Sequence, residues 1–128
     1  MGTSDPGFGL CHRVVDGSIV LTFRGELDAY AERELAPRMA ELMNLPGTDV
    51  VADLRRVTFL DAGGLRLLVR MKRQATARGR PLRLVRSSAR VWRVLHITRL
   101  DRSFTVLDVM PAALDTPDGF EGDLNRPA

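Results

Sequence analysis

Ser18 to Arg24 alternates, with Ile19, Leu21 and Phe23 against Ser18, Val20, Thr22 and Arg24. A period of two predicts a strand over 18–24. Val14-Val15 run into Asp16-Gly17, a pair suited to a two-residue turn, so a strand near 10–15 and the 18–24 strand form a hairpin. Gly25-Glu26-Leu27-Asp28 reads as a connector, with Asp28 as N-cap of a helix over 29–44. In that helix Leu35, Met39 and Leu42 fall at helical spacing, with Glu32, Arg33, Arg38 and Glu41 outside. Pro37 removes an amide donor and predicts a kink or a late effective start. After Pro46-Gly47, Thr48 to Leu54 reads as a buried strand. Arg55-Arg56-Val57 are expected to leave the sheet. Thr58-Phe59-Leu60 then approach a helix over 62–77 capped by Asp61. Leu65, Leu68, Val69 and Ala75 are its expected apolar side, and Arg66, Arg70 and Arg73 share another at i, i+4 and i+7. Gly79 ends it. Leu82 to Val85 is a fourth strand, Ser87 or Ser88 caps a short helix through Leu95, and Ser103 to Leu107 is a last strand. Ala112 to Leu114 starts a final helical turn.

The order β-β-α-β-α-β-α-β predicts an α/β fold: one mixed sheet, with right-handed crossovers and covering helices. A doubly wound nucleotide-binding domain would need a Gly-rich loop directly after the first strand, and none is there. The length, 128 residues, suits one domain. Residues 1–9 are expected to form a flexible N-terminus, 10–112 the domain, and 113–128 a flexible acidic tail rich in Pro and Gly. The start lacks a basic cluster followed by an apolar run, so no secretory signal is read there. No apolar stretch reaches the roughly 18 residues of a membrane span. A cytoplasmic protein is therefore expected.

Charge changes the picture through its distribution. The formal net charge is +3. Residues 52–102 alone carry +11, while the flanking parts carry −4 each. The basic residues are 18 Arg and one Lys, Lys72. Arg66, Arg70, Lys72 and Arg73, followed by Arg78, Arg80, Arg83, Arg86, Arg90 and Arg93, read as a basic field. Interleaved aromatics are few, and no helix-turn-helix or RNA-recognition signature is present, so direct nucleic-acid binding is not expected. Arg favours bidentate pairing with carboxylates, which points to a protein partner.

Catalytic chemistry finds little support. One Cys and two His exclude a Cys-rich or three-His metal site, so no metal and no cofactor are expected. His12 and His96 lie far apart in sequence without a local acid-base companion. Asp28, Asp53 and Asp61 sit at expected strand ends or helix starts, where capping explains them. Gly63-Gly64 opens a helix and could receive an anion, but no P-loop pattern accompanies it. The simpler reading is a tight loop and close helix packing.

Asp53 to Leu65, DLRRVTFLDAGGL, resembles the signature of the STAS domain, and more closely that of bacterial anti-sigma factor antagonists. Gly25-Glu26-Leu27-Asp28 resembles the family's G-E-[LI]-D. Val91, Leu95, Leu100 and Asp101 resemble its late V-x-x-x-L-x-x-x-x-L-D segment. The resemblance spans about residues 12–110. It implies a STAS-like mixed sheet of four to five strands and a non-enzymatic regulatory binding protein. The implied partner is an anti-sigma factor that is also a GHKL-type serine kinase, captured when the antagonist is dephosphorylated and released by phosphorylation. The implied binding surface is Asp28, Asp61, Ala62, Gly63 and Gly64 with Arg66, Arg70 and Arg73. A sheet edge would also permit a homodimer.

One position departs from the family pattern. The phosphorylated Ser or Thr of D-S-[ST]-G falls on Gly63, and the position before it on Ala62. Neither has a hydroxyl, so the usual switch has no acceptor. Thr58 is the nearest hydroxyl and reads as structural, with substitution for the phosphosite as the weaker reading; Ser87 and Ser88 are weaker still. Three outcomes stay open: an antagonist that is always active, a scaffold or soluble component of another complex (stress signalling or lipid transport), or a competitor that binds a kinase without being modified. The Gly pair is expected to flatten the patch and expose its amides.

Overall fold

The computed structural model describes residues 7–115. Strand β1 (Phe8–Val15) turns through Asp16 and Gly17, both at positive φ, into β2 (Ser18–Leu27). That geometry suits the right-handed twist of a hairpin, and Asp and Gly tolerate it best. Then follow α1 (Ala29–Leu42), β3 (Asp49–Leu60), α2 (Ala62–Ala77), β4 (Leu82–Val85), α3 (Ala89–Ile97) and β5 (Thr105–Leu107). Short 3-10 turns at Leu100–Ser103 and Ala112–Leu114 flank β5.

The five strands lie in the order β1-β2-β3-β4-β5. The first pair is antiparallel and the remaining pairs are parallel. Each parallel strand is laid beside its predecessor in one direction, so crossovers of one hand put all three helices on one face. The main core lies there: Ile19, Leu21 and Phe23 of β2 and Val50, Ala52 and Leu54 of β3 pack under Leu35, Met39, Leu67, Leu68, Met71 and Leu95. The alternate positions Val20, Val51 and Val85 face the other way. There they are covered by Met110 and Leu114 of the C-terminal stretch. This second face explains why β2 is buried at five successive positions instead of every other one.

Several expectations need correction. Residues 25–27 belong to β2, and β3 continues through Arg55-Arg56-Val57 to Leu60. Two register shifts against β2 let β3 carry extra residues there. β4 pairs with β3 only as far as Asp53, so beyond it one edge of β3 is open and arginines are tolerated. Helix α1 starts directly after Asp28 and runs past Pro37, so there is no late start. The buried side of α2 is Gly63, Gly64, Leu67, Leu68, Met71 and Ala75; Leu65 and Val69 are only partly covered. α3 extends two residues past Leu95, and β5 begins at Thr105. Phe8 and Leu114, just outside the expected domain limits of 10 and 112, are buried. Residues 1–6 and 116–128 of the expected termini lie outside the described residues.

Candidate functional site

Parallel β2 and β3 end in register, Leu27 beside Leu60. The next residue in each chain segment is an aspartate that caps a helix. Asp28 accepts from the Ala31 amide at 2.9 Å. Asp61 accepts from the amides of Gly63 at 2.8 Å and Gly64 at 3.4 Å. The two helix starts therefore sit side by side at one end of the sheet. Capping groups of this kind stabilise a helix by roughly 1 kcal/mol each.

The glycines make that closeness possible. A Cβ on Gly63 would stand 2.4 Å from both Cα and N of Ala29. One on Gly64 would stand 2.4 Å from the Leu27 carbonyl oxygen and from Leu60 Cδ1. Both glycines are buried, and their amides are taken by Asp61. The expectation of a flat patch with exposed amides is thus corrected: the start of α1 covers them. What reaches solvent here is Ala62, with the exposed aromatics Tyr30 and Phe59 at the same end. Tyr30 packs edge-on against Phe8 at 5.6 Å. Thr58 is exposed on β3, Ser87 donates to the Val57 carbonyl at 2.8 Å, and Ser88 caps α3.

Further along, α1 and α2 border a polar groove of about 490 Å³. Glu32, expected outside, is turned into it with only 9% of its side chain exposed. Arg66 Nε donates to Glu32 Oε1 at 3.0 Å, and Arg70 Nε lies 3.4 Å from Oε2. Both arginines remain more than half exposed. One buried carboxylate thus holds two guanidinium groups in place while their outer edges face solvent, joined by Arg33 on the groove wall. The local charge is positive, which favours an anionic partner group. Arg73 lines a different cavity, on the side of α2 toward Leu100–Ser103.

The basic field is also divided. Arg80 donates to the Met43 carbonyl at 2.8 Å, and Arg78 bonds the Gln74 carbonyl and the Asn44 side chain. Arg83 pairs with Asp49 at 2.9 Å, and Arg86 pairs with Asp108 and lies over the Trp92 ring. These arginines tie elements together. Arg90 and Arg93 are exposed on α3.

Asp53 is neither a cap nor a strand end. It is buried in β3, where its carboxylate accepts from the Arg55 amide at 3.0 Å and from the Arg55 guanidinium at 2.9 Å. Asp115 grips the same guanidinium at 3.0 Å. The hydrogen bonds to Asp53, then to Asp115, raise the Arg55 pKa further above its usual value. The hydrogen bond from Arg55 holds Asp115 below the usual carboxylate range. Arg13 donates to the Leu114 carbonyl, so two arginines fasten the C-terminal stretch to the second face. His96 does have an acidic neighbour, since Nδ1 lies 3.1 Å from Asp101, but on the surface. His12 and Cys11 lie on β1, Cys11 fully buried. Among the described residues no group of three His, Cys, Asp or Glu is placed to hold a metal.

Sequence reading missed Glu32, Arg33, Tyr30 and Phe59. The signal for Glu32 was a pair of arginines four apart on the neighbouring helix, a spacing that suits one shared carboxylate. The exposed aromatics had no such signal, because an aromatic beside a strand end reads equally well as core.

Comparison with known proteins places this geometry. Residues 13–110 match the family described as Mlab, STAS domain. An anti-sigma factor antagonist from Mycobacterium paratuberculosis is similar at 24% identity with a TM-score of 0.70, over 88% of this chain and 96% of that one. The anti-sigma factor antagonist SpoIIAA in its unphosphorylated form is similar at 20% identity and a TM-score of 0.64, over 77% and 87%. An anti-sigma-factor antagonist domain protein from Planctomyces limnophilus matches at 18% identity and 0.66, over 79% and 91%. At these identities the likeness establishes the fold.

Proposed function

The chain belongs to the STAS domain family, and from that premise we propose that it is a non-enzymatic, cytoplasmic anti-sigma factor antagonist. It captures an anti-sigma factor of the GHKL serine-kinase type and is not switched at the family's usual phosphosite. The capturing surface is the end of the sheet formed by Asp28 and Asp61 to Gly64, continued along the groove by Arg66 and Arg70; Arg73, expected with them, lines the other side of α2 and is not part of it. Ala62, Tyr30 and Phe59 supply its apolar contacts, and Arg66 and Arg70 meet carboxylates of the partner. The observation that carries this reading is the pair of arginines held outward by buried Glu32 beside the two capped helix starts. Pre-set guanidinium groups lose less freedom on binding than mobile ones. The absence of switching rests on Gly63, which has no hydroxyl and is packed against Ala29.

A pull-down with the full chain, with and without ATP, tests this. Retention of an anti-sigma kinase in both conditions is expected. Absence of any such kinase overturns it. A second reading, a STAS component of another complex in stress signalling or lipid transport, is favoured by one observation: the matched family description names Mlab and no antagonist. Permease or ATPase subunits in the same pull-down would support that reading instead.

A further inference from the structure

The chain uses arginine 18 times and lysine once, at Lys72, and that lysine stands at the mouth of a cavity. Val69, Arg73 and Thr76 follow one another at helical spacing on α2, with Lys72 beside them. Arg99 adopts a left-handed conformation (φ 62°), which ends α3 and returns the chain as the 3-10 turn Leu100–Ser103. That return lays Leu100 and Phe104 opposite α2. Between the two walls lies a cavity of about 450 Å³, within the range usual for small-molecule sites, roughly 300–1,000 Å³. Its wall is mostly apolar carbon.

The charge at the mouth is one-sided. The Lys72 ammonium donates to the Ser103 carbonyl and lies 5.5 Å from the centre of the Phe104 ring. These contacts hold a cation against the apolar wall. Arg73 adds a second, and among the described residues no carboxylate lines the cavity. The hydroxyl of Thr76 supplies a neutral donor nearby. An apolar cleft ending in two cations suits a ligand with an apolar tail and an anionic head. The tail removes apolar surface from water, and the head meets ammonium and guanidinium. A cationic ligand would be repelled, and a neutral one would forgo the head contacts.

We propose that this cavity, between α2 and the Leu100–Phe104 segment, binds a free single-chain anionic amphiphile of the fatty-acid type. The site lies on the other side of α2 from the Glu32 groove and does not depend on which partner that groove takes.

Titration of the full chain with a dansyl-labelled undecanoic acid, below its micelle concentration, reads the site. Saturable binding of one probe per chain is expected. Decanoate should displace the probe roughly tenfold better than decanol, which forgoes both cation contacts, and Lys72→Met, which removes one, should weaken probe binding by about two- to fivefold. Val69→Trp fills the cavity and should abolish binding. If that variant fails to fold, Thr76→Trp, at an exposed helical position, serves in its place. Equal displacement by decanol and decanoate, or wild-type binding by the filled variant, overturns the proposal. So does the lack of saturable binding, whether or not the chain sediments with phosphatidylglycerol vesicles; sedimentation without probe binding points to a membrane surface instead.

Discussion

Gly63→Ala sets two physical effects against each other, and the structure says which wins. Helix propensity favours the change: alanine exceeds glycine by about 1 kcal/mol in a helix interior, and by less in a first turn. Gly63 does not have the positive φ that would make a side chain unfavourable. Sterics oppose it. The added Cβ would lie 2.4 Å from Ala29 Cα and N and 2.6 Å from the Asp28 carbonyl carbon. Those are backbone atoms, so no rotamer change relieves the overlap. The start of α1 would have to withdraw by about 1 Å to reach ordinary contact. Overpacking of this kind costs typically 1–3 kcal/mol, and an unyielding neighbour argues for the upper part of that range. The net expectation is a loss of about 1–2 kcal/mol. In urea unfolding that lowers the midpoint by roughly 0.5–1 M with the slope unchanged. Exposed Ala62 is the control: Ala62→Gly, at the first position of α2, should lose at most about 0.5 kcal/mol, the reduced first-turn propensity difference alone. A Gly63→Ala protein as stable as the wild type, or more so, would refute the close-packing argument. The same overlap applies to Gly63→Ser, which should lose stability without becoming a kinase substrate.

Other consequences are as direct. Arg70→Glu places a second carboxylate against buried Glu32 and should lower stability by about 1–2 kcal/mol after allowance for solvent at the exposed arginine; the charge swap Glu32→Arg with Arg70→Glu should recover part of it in a double-mutant cycle. Asp53→Ala removes a buried acceptor of three Arg55 hydrogen bonds and should cost about 2–3 kcal/mol, read by thermal unfolding. Asp115 is held below its ordinary value of 3.8 by Arg55. Its contribution is complete above the unfolded value and is lost as pH falls through the lower folded one, so the Asp115–Arg55 contact should persist at pH 4 and open only below 3.8. A carboxyl NMR titration midpoint above 3.8 would contradict that.

Much of the architecture was legible in the chain alone. Period-two and helical spacing located the strands and helices, because burying one face of an element leaves a periodic trace. Asp16-Gly17 marked the hairpin turn, and Asp28 and Asp61 marked helix starts, because turns and caps need particular side chains within a few residues. Family membership was legible for the same local reason: Gly25 to Asp28 and Asp53 to Leu65 are continuous motifs. The missing hydroxyl at position 63 needed no coordinates.

Only the tertiary structure decided what surrounds those residues. The polar pair Arg55-Arg56 looked like the end of a strand, yet β3 continues because its pairing with β2 runs on to Leu60, although β4 stops at Asp53. Glu32 looked solvent-facing on its own helix, yet Arg66 and Arg70 of another helix draw it inward. Gly63 and Gly64 looked like an open loop, yet they are where α1 and α2 touch. The arginine-rich middle looked like one field, yet its members serve separate contacts. In each case the deciding partner lies some thirty residues away or belongs to a neighbouring strand. Local sequence records which face of an element is buried; contacts between elements set which residues meet there.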